Sequence, residues 1–156
     1  MKKTVLLAIV LLICQLSKAQ EAAKKDRVTD SKESCITIGV LQGGGSLIGA
    51  DIEIMPLSRL GFQFGAGLVG VGCGINYHFK PWVKSSFLSL QYWHQGMGNT
   101  YVQSLVGPSY VFRARKIFTC QIGVGFLVEK GPKYYSAFKK EVPAMLTYAI
   151  GVYIPW

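Results

Sequence analysis

Two acidic residues inside an otherwise apolar region could do acid–base chemistry. Asp51 and Glu53 are separated by one residue in the segment A-D-I-E-I. Side chains two residues apart point to the same face of a β-strand, and a close pair of carboxyl groups can serve as general acid and general base. We favour the simpler interpretation, in which these carboxylates are interior groups held by polar neighbours and an inward Arg113. The predicted interior network is Asp51, Glu53, Gln63, Asn76, His78, Gln91 and Gln121.

His94 is the second candidate, because a histidine next to a hydroxyl group can activate it as a nucleophile for acyl transfer. Ser104 is the hydroxyl that could serve, since it lies on the same parity of the following predicted strand. The alternative is that His94, next to Tyr92 and Trp93, is an amphipathic residue of an interfacial belt. We expect this second role, and therefore a protein that is not an enzyme.

The sequence predicts neither a metal site nor a cofactor. The histidines, His78 and His94, have no cysteine or acidic residue at ligand spacing. Three cysteines remain after the predicted signal peptide is removed, and this odd number argues against a full disulfide framework. Cys73 and Cys120 fall on the apolar parity of their strands, so we expect them to be small outward-facing residues.

The first nineteen residues have the pattern of a secretory signal peptide. Lys2 and Lys3 precede an apolar run, and a small-residue site predicts cleavage between Ala19 and Gln20. The run is too short to cross a bilayer as a helix, which needs about 20 residues. Residues 20–34 carry four acidic and four basic side chains and are predicted to be a flexible tail. Residues 35–156 are predicted to form the folded domain.

Beyond Cys35 the sequence alternates large apolar residues with small or polar ones, the pattern of β-strands with two unlike faces. The clearest case is the segment from Leu60 to Leu68, L-G-F-Q-F-G-A-G-L. The fifth segment is the least decided, and Pro108 in the sixth predicts a local bulge. The predicted strands are 35–41, 47–55, 60–68, 72–79, 86–95, 101–113, 117–128 and 145–156.

The composition of the two faces indicates which one meets lipid. A soluble barrel, such as a periplasmic ligand-binding protein, would carry many charges on its outer face. Here the less apolar face is mainly Gly, Gln, Thr, Ser and Asn, which suits a narrow polar interior. We therefore predict an all-β fold, an eight-stranded antiparallel up-and-down transmembrane β-barrel with both termini periplasmic and residues 129–141 outside the cell. Its predicted aromatic girdle is Tyr77, Phe79, Tyr92, Tyr110, Phe112 and Trp156.

The positive charge of the chain does not indicate a nucleic-acid partner. Loss of Lys2, Lys3 and Lys18 with the signal peptide lowers the formal net charge from +9 to +6. Most remaining basic residues lie in the tail or at turns, whereas nucleic-acid binding needs them on one folded face. The partners predicted for these charges are outer-membrane lipids and the phosphates of lipopolysaccharide.

The last strand resembles the C-terminal strand of bacterial outer-membrane barrels, which the barrel-assembly machinery recognises. The pattern is carried by Tyr148, Ile150, Val152, Ile154 and Trp156. Residues 35–156 as a whole are similar to the small eight-stranded barrels typified by the OmpA transmembrane domain and OmpX. The signal peptide ending Lys-Ala-Gln resembles those of Bacteroidota. The resemblance implies a cell outer-membrane protein with a structural, adhesive or surface-interaction role, because an interior of eight strands is filled by side chains and is not a general pore.

An alternative resemblance is to eight-stranded lipid A deacylases of the PagL type, which keep a histidine and a serine on the outer surface near the extracellular rim. His94 occupies a comparable place on its strand. Their His-x-Ser pattern is absent, because position 96 is Gly, and only Ser104 could replace the missing hydroxyl. The extracellular ligand, if there is one, is not predicted by the sequence.

Overall fold

The computed structural model describes residues 34–156, and these residues form one closed antiparallel barrel. The predicted signal peptide and residues 20–33 of the predicted tail lie outside the described residues. Each strand pairs with the next one in the chain, and β1 closes the barrel against β8. The predicted eight-stranded fold is therefore confirmed. Its strands are β1 (Ser34–Val40), β2 (Ile48–Ile54), β3 (Leu60–Gly67), β4 (Gly70–His78), β5 (Phe87–Gln95), β6 (Gln103–Arg113), β7 (Phe118–Lys130) and β8 (Ala144–Pro155).

The barrel has two ends, which we name by their contents. The terminal end holds Ser34 and Pro155 and the connections 55–59, 79–86 and 114–117, whereas the loop end holds the connections 41–47, 68–69, 96–102 and 131–143. The helical segments are single turns at Gln42–Gly45, Gly98–Thr100 and Tyr134–Ala137. Within the part of the chain that the structure describes, no helix is long and apolar enough to cross a bilayer.

The bulge predicted at Pro108 is wrong. The β6–β7 register is the same at Val106 and at Ser109, on either side of the proline. The missing N–H of Pro108 therefore does not change the register. The irregularity lies between Ser104 and Leu105, whose partners are Glu129 and Leu127, so that Val128 is the extra residue of β7.

The apolar parity of the strands forms the outer wall. Phe64, for example, is 60 % exposed, while Gln121 on the opposite parity of β7 is buried. The undecided β5 turns Leu88 and Leu90 outward, and its opposite parity is buried. The outer wall also includes the following exposed residues: Phe62, Ile75, Tyr77, Phe79, Tyr110, Phe112, Ile122, Val124, Tyr148, Ile150, Val152, Ile154 and Trp156.

A segment of the first connection folds into the barrel and closes its loop end. We call residues 42–46 the plug; its first three residues and Ser46 are buried. The plug packs against inward glycines of β3 and β4, where a Cβ atom on Gly67 would lie 2.3 Å from the Cβ of Ser46. The strand pattern predicted these glycines to lie in a narrow polar interior. Their small size is what leaves room for the plug.

The terminal end is closed by a second inserted segment. Val83, in the β4–β5 connection, is only 2 % exposed and packs with Met55 and Cys35 in one apolar cluster. The backbone carbonyl of Val83 also accepts a hydrogen bond from Arg113. Both ends of the interior are therefore occupied by protein.

Candidate functional sites

Glu53 is the centre of a buried polar cluster near the terminal end. Its Oε2 lies 2.7 Å from Nη1 of Arg113, and its Oε1 lies 2.9 Å from Nε2 of His78. Asn76 donates a further hydrogen bond to Oε1. Strands β2, β4 and β6 bring these four residues together, and each is buried. An ionised carboxylate so far from water needs such partners, because an unpaired buried charge is costly.

Arg113 is held on several sides, which fixes the direction of its guanidinium group. Nη2 donates to the sulfur of Cys35 at 3.1 Å. The group also lies over the rings of Phe87 and Tyr153, 4.8 and 4.9 Å from their centroids. These contacts combine a hydrogen bond with two cation–π interactions. The sequence placed Arg113 at an inward position, and the aromatic partners were not anticipated.

Asp51 does not share the partners of Glu53, although the two residues are on one face of β2. Its Oδ1 accepts a hydrogen bond from the backbone N–H of Gly43 in the plug, at 3.3 Å. Its Oδ2 has no partner among the described residues. The predicted interior network therefore divides into a Glu53 cluster, an Asp51 contact with the plug and a Gln91–Gln121 pair. Since Glu53 is occupied by three partners, the arrangement does not favour a catalytic pair of carboxyl groups.

The middle of the interior is filled by glutamine side chains. Gln91 and Gln121 exchange two hydrogen bonds, at 3.3 and 2.6 Å, and Trp93 donates to Gln91 at 3.0 Å. Gln63 joins the Glu53 cluster by accepting a hydrogen bond from Asn76 at 3.1 Å. A cavity beside Gln91 and Trp93 has a volume of about 10 Å³. That is about the space of a single water molecule.

A second polar cluster lies on the outer wall near the loop end. Nδ1 of His94 is 3.0 Å from Oγ of Ser104, which is its cross-strand partner. The hydroxyl groups of Tyr92 and Tyr101 lie 2.9 and 2.7 Å from the same Oγ. The ring of Tyr101 stacks on the imidazole with 4.2 Å between centroids and covers the cluster. We call these four residues the rim cluster.

The hydrogen-bonding capacity of a serine matches this surrounding. A hydroxyl group donates once and can accept twice. If Tyr92 and Tyr101 both donate to Ser104, its own proton points to Nδ1 of His94. Burial raises the pKa of Tyr101, and the neighbouring Glu129 carboxylate adds to the rise, so this phenol stays protonated and can donate to either Ser104 or Glu129. When Ser104 donates to His94, the imidazole is placed as a base that could accept the serine proton.

Two members of this region were missed by the sequence analysis. Tyr101 is placed by the β5–β6 connection, where Gly96 and Gly98 adopt positive φ values and the 3₁₀ turn Gly98–Thr100 bends the chain back. Glu129 is brought opposite Ser104 by the bulge in β7. The pairing of His94 with Ser104 could have been predicted by counting residues across the β5–β6 hairpin. The bulge that places Glu129 opposite Ser104 could not, because no pattern in the sequence indicates it.

The candidate sites contain no metal centre that geometry identifies. Within residues 34–156, no three His, Cys, Asp or Glu side chains come together in a way that could hold a metal ion. Cys35, Cys73 and Cys120 are free thiols.

In comparisons with known proteins, no family model, no curated protein and no solved structure matches this chain.

Proposed function

We propose that this protein is an integral outer-membrane barrel with a structural, adhesive or surface-interaction role. The main support for this proposal is the burial pattern: apolar side chains are exposed and ionisable side chains are buried, the opposite of a soluble protein. Ile122 and Phe126 are more than half exposed, whereas Glu53 and His78 are nearly inaccessible. Soluble monomers rarely expose apolar patches of more than a few hundred Å². A closed barrel is also one of the two backbone arrangements that satisfy every amide in lipid.

The filled interior argues against a general diffusion pore. The plug occupies the loop end, the Glu53 cluster and Val83 occupy the terminal end, and glutamines fill the middle. An eight-stranded barrel has little space beyond this. The 131–143 connection is the longest one among the described residues; it packs Tyr134 against Phe138, and its Glu141 pairs with Lys130 at the end of β7. The predicted partners of the barrel are outer-membrane lipids and lipopolysaccharide, and the barrel-assembly machinery would act during insertion.

Membrane integration and closure can be tested together. We expect the full-length protein to remain with the membrane fraction after a carbonate wash, because its outer wall is apolar. Reconstituted in planar bilayers, it should carry no steady current comparable to that of a porin. Release by carbonate would contradict the membrane location. A porin-like conductance from a carbonate-resistant protein would contradict the filled interior alone.

A second candidate function is an outer-membrane lipid hydrolase, favoured by the 3.0 Å contact between His94 and Ser104. In such a reaction Oγ of Ser104 would attack an ester carbonyl while its proton passes to Nδ1 of His94. The proton would then return to the departing alkoxide, and water would release the acyl group from the serine. Tyr92 and Tyr101 would supply hydrogen-bond donors next to the reacting carbon. Tyr101 must move first, because Ser104 has no exposed surface.

Lipid profiling separates the two functions. For a hydrolase, overexpression should remove an acyl chain from lipid A or a phospholipid, and both His94→Ala and Ser104→Ala should abolish the change, typically by a factor of at least about 10³. The control is Ser109→Ala, which removes an interior serine. Unchanged acyl chains in cells that contain the folded wild-type barrel would reject the hydrolase and leave the structural role in place.

A further inference from the structure

The outer wall contains an apolar groove that runs along β4. It has a volume of about 300 Å³, at the lower limit of ligand-sized pockets. Its walls are Phe62 and Phe64 on one side and Leu90 and Tyr92 on the other. Cys73 and Gly74 also line it.

The strand register explains why the groove is there. Cys73 is flanked by Phe64 on β3 and by Tyr92 on β5, so a small side chain lies between two aromatic rings. One pair of residues further down, Ile75 is flanked by Phe62 and Leu90. Because Cys73 is smaller than its neighbours Phe64 and Tyr92, the surface is lower over β4 than over β3 and β5, and a groove results. Its lining extends from the level of Leu90 to that of Tyr92, which is two residues or about 7 Å along the strand.

The upper end of the groove meets the rim cluster. Tyr92 lines the groove with its ring, and its hydroxyl group bonds to Ser104 at 2.9 Å. Lys133 is exposed just above, and its backbone N–H donates to the carbonyl of Tyr101 at 3.1 Å. An apolar channel is thus followed by hydroxyl and imidazole groups and then by a cation.

We propose that this groove binds one acyl chain of a phosphate-bearing lipid in the leaflet at the loop end. The chain lies between the Phe64 and Tyr92 walls, the ester linkage reaches the rim cluster, and the lysine side favours the phosphate of the headgroup. This order of apolar, polar and cationic groups matches the order of groups in an anionic glycerolipid. The inference rests on the proposed membrane location, and it holds whether or not the rim cluster hydrolyses the ester.

The experiment uses the full-length barrel in vesicles of phosphatidylglycerol with a diazirine halfway along one acyl chain. After illumination, mass spectrometry maps the labelled peptides. We expect the label to be concentrated on the peptides that contain β3, β4 and β5. Cys73→Trp, which fills the floor of the groove, should lower labelling there about tenfold, the change that accompanies a loss of about 1.4 kcal/mol.

The matched control is Cys120→Trp, because Cys120 is also a free thiol on the outer parity but lies on β7, away from the groove. It should leave the labelling pattern unchanged. The heat-dependent shift in electrophoretic mobility checks that each variant is folded. Label spread evenly around a folded wild-type barrel, or label insensitive to Cys73→Trp, would overturn the groove. Absence of label anywhere would instead contradict the membrane location.

Discussion

Replacing Glu53 by Met is expected to lower the free energy of unfolding by about 3–5 kcal/mol, because it leaves the guanidinium of Arg113 buried without its carboxylate. His78 and Asn76 lose a partner in the same change. The measurement is equilibrium unfolding by guanidinium chloride of the barrel in lipid vesicles, followed by tryptophan fluorescence. Arg113→Met should cost less, since Glu53 then keeps both His78 and Asn76. The loss of stability in the double variant should be smaller than the sum of the losses in the two single variants, by about 1–3 kcal/mol.

The loop-end ion pair provides the control for this prediction. Lys130 and Glu141 are also in contact, but both are well exposed to solvent. Glu141→Gln should change the free energy of unfolding little, as is usual for solvent-screened surface pairs. Equal losses for Glu53→Met and Glu141→Gln would show that the interior cluster does not stabilise the barrel.

Gly44→Ala is expected to displace the plug. A Cβ atom at position 44 would lie 2.3 Å from the backbone carbonyl oxygen of Val71, and its φ of +80° is already unfavourable for alanine. Neither the β4 backbone nor the buried plug can move without loss of packing. We expect a loss of about 1–3 kcal/mol beyond the backbone strain itself. Limited proteolysis by thermolysin should then cleave more readily before the exposed Leu47, because the neighbouring Ser46 is buried only while the plug is seated.

Gly98→Ala separates the clash from the backbone strain. Gly98 has a φ of +54°, so alanine is strained there too, but a Cβ atom would meet nothing within 4 Å. This variant should lose only the about 1–2 kcal/mol of a left-handed alanine and should keep the plug resistant to thermolysin. If the two variants behave alike, the close packing of the plug against β4 is not what keeps it in place.

The barrel itself was predictable because its signal is repeated in every strand. The period of two assigns each side chain to a face, and a one-residue error would reverse a whole strand. Phe62 and Phe64 are therefore outward and Gln63 is inward without any knowledge of neighbouring strands. Only β5 was ambiguous, since Phe87 and Trp93 are large apolar residues on its inward face. Phe87 is buried between the His78 ring and the Arg113 guanidinium, and Trp93 is buried with its indole N–H donating to Gln91.

The sites were less predictable because they depend on register and on connections. The sequence could place Glu53 and Arg113 on inward faces, but the pairing across β2, β4 and β6 needs the closed barrel. The plug has glycine at three consecutive positions. Such a run is typical of a turn, and nothing in it indicates that the segment folds into the barrel interior. The rim cluster depends on Tyr101, which was predicted to begin the strand 101–113 but lies in the connection before β6, where the period of two does not assign its face.

The strands differ greatly in length around the circumference. β1 and β2 have seven residues each, and β7 has thirteen. A tilted transmembrane strand needs about 9 to 11 residues to cross the hydrocarbon layer, so β1 and β2 are shorter than this length and β7 is longer. A molecule with one short side and one tall side cannot match a flat hydrocarbon slab at every point. In the proposed membrane location the barrel would tilt, or would thin the surrounding bilayer at its short side, which gives lipids a preferred place to gather or to leave.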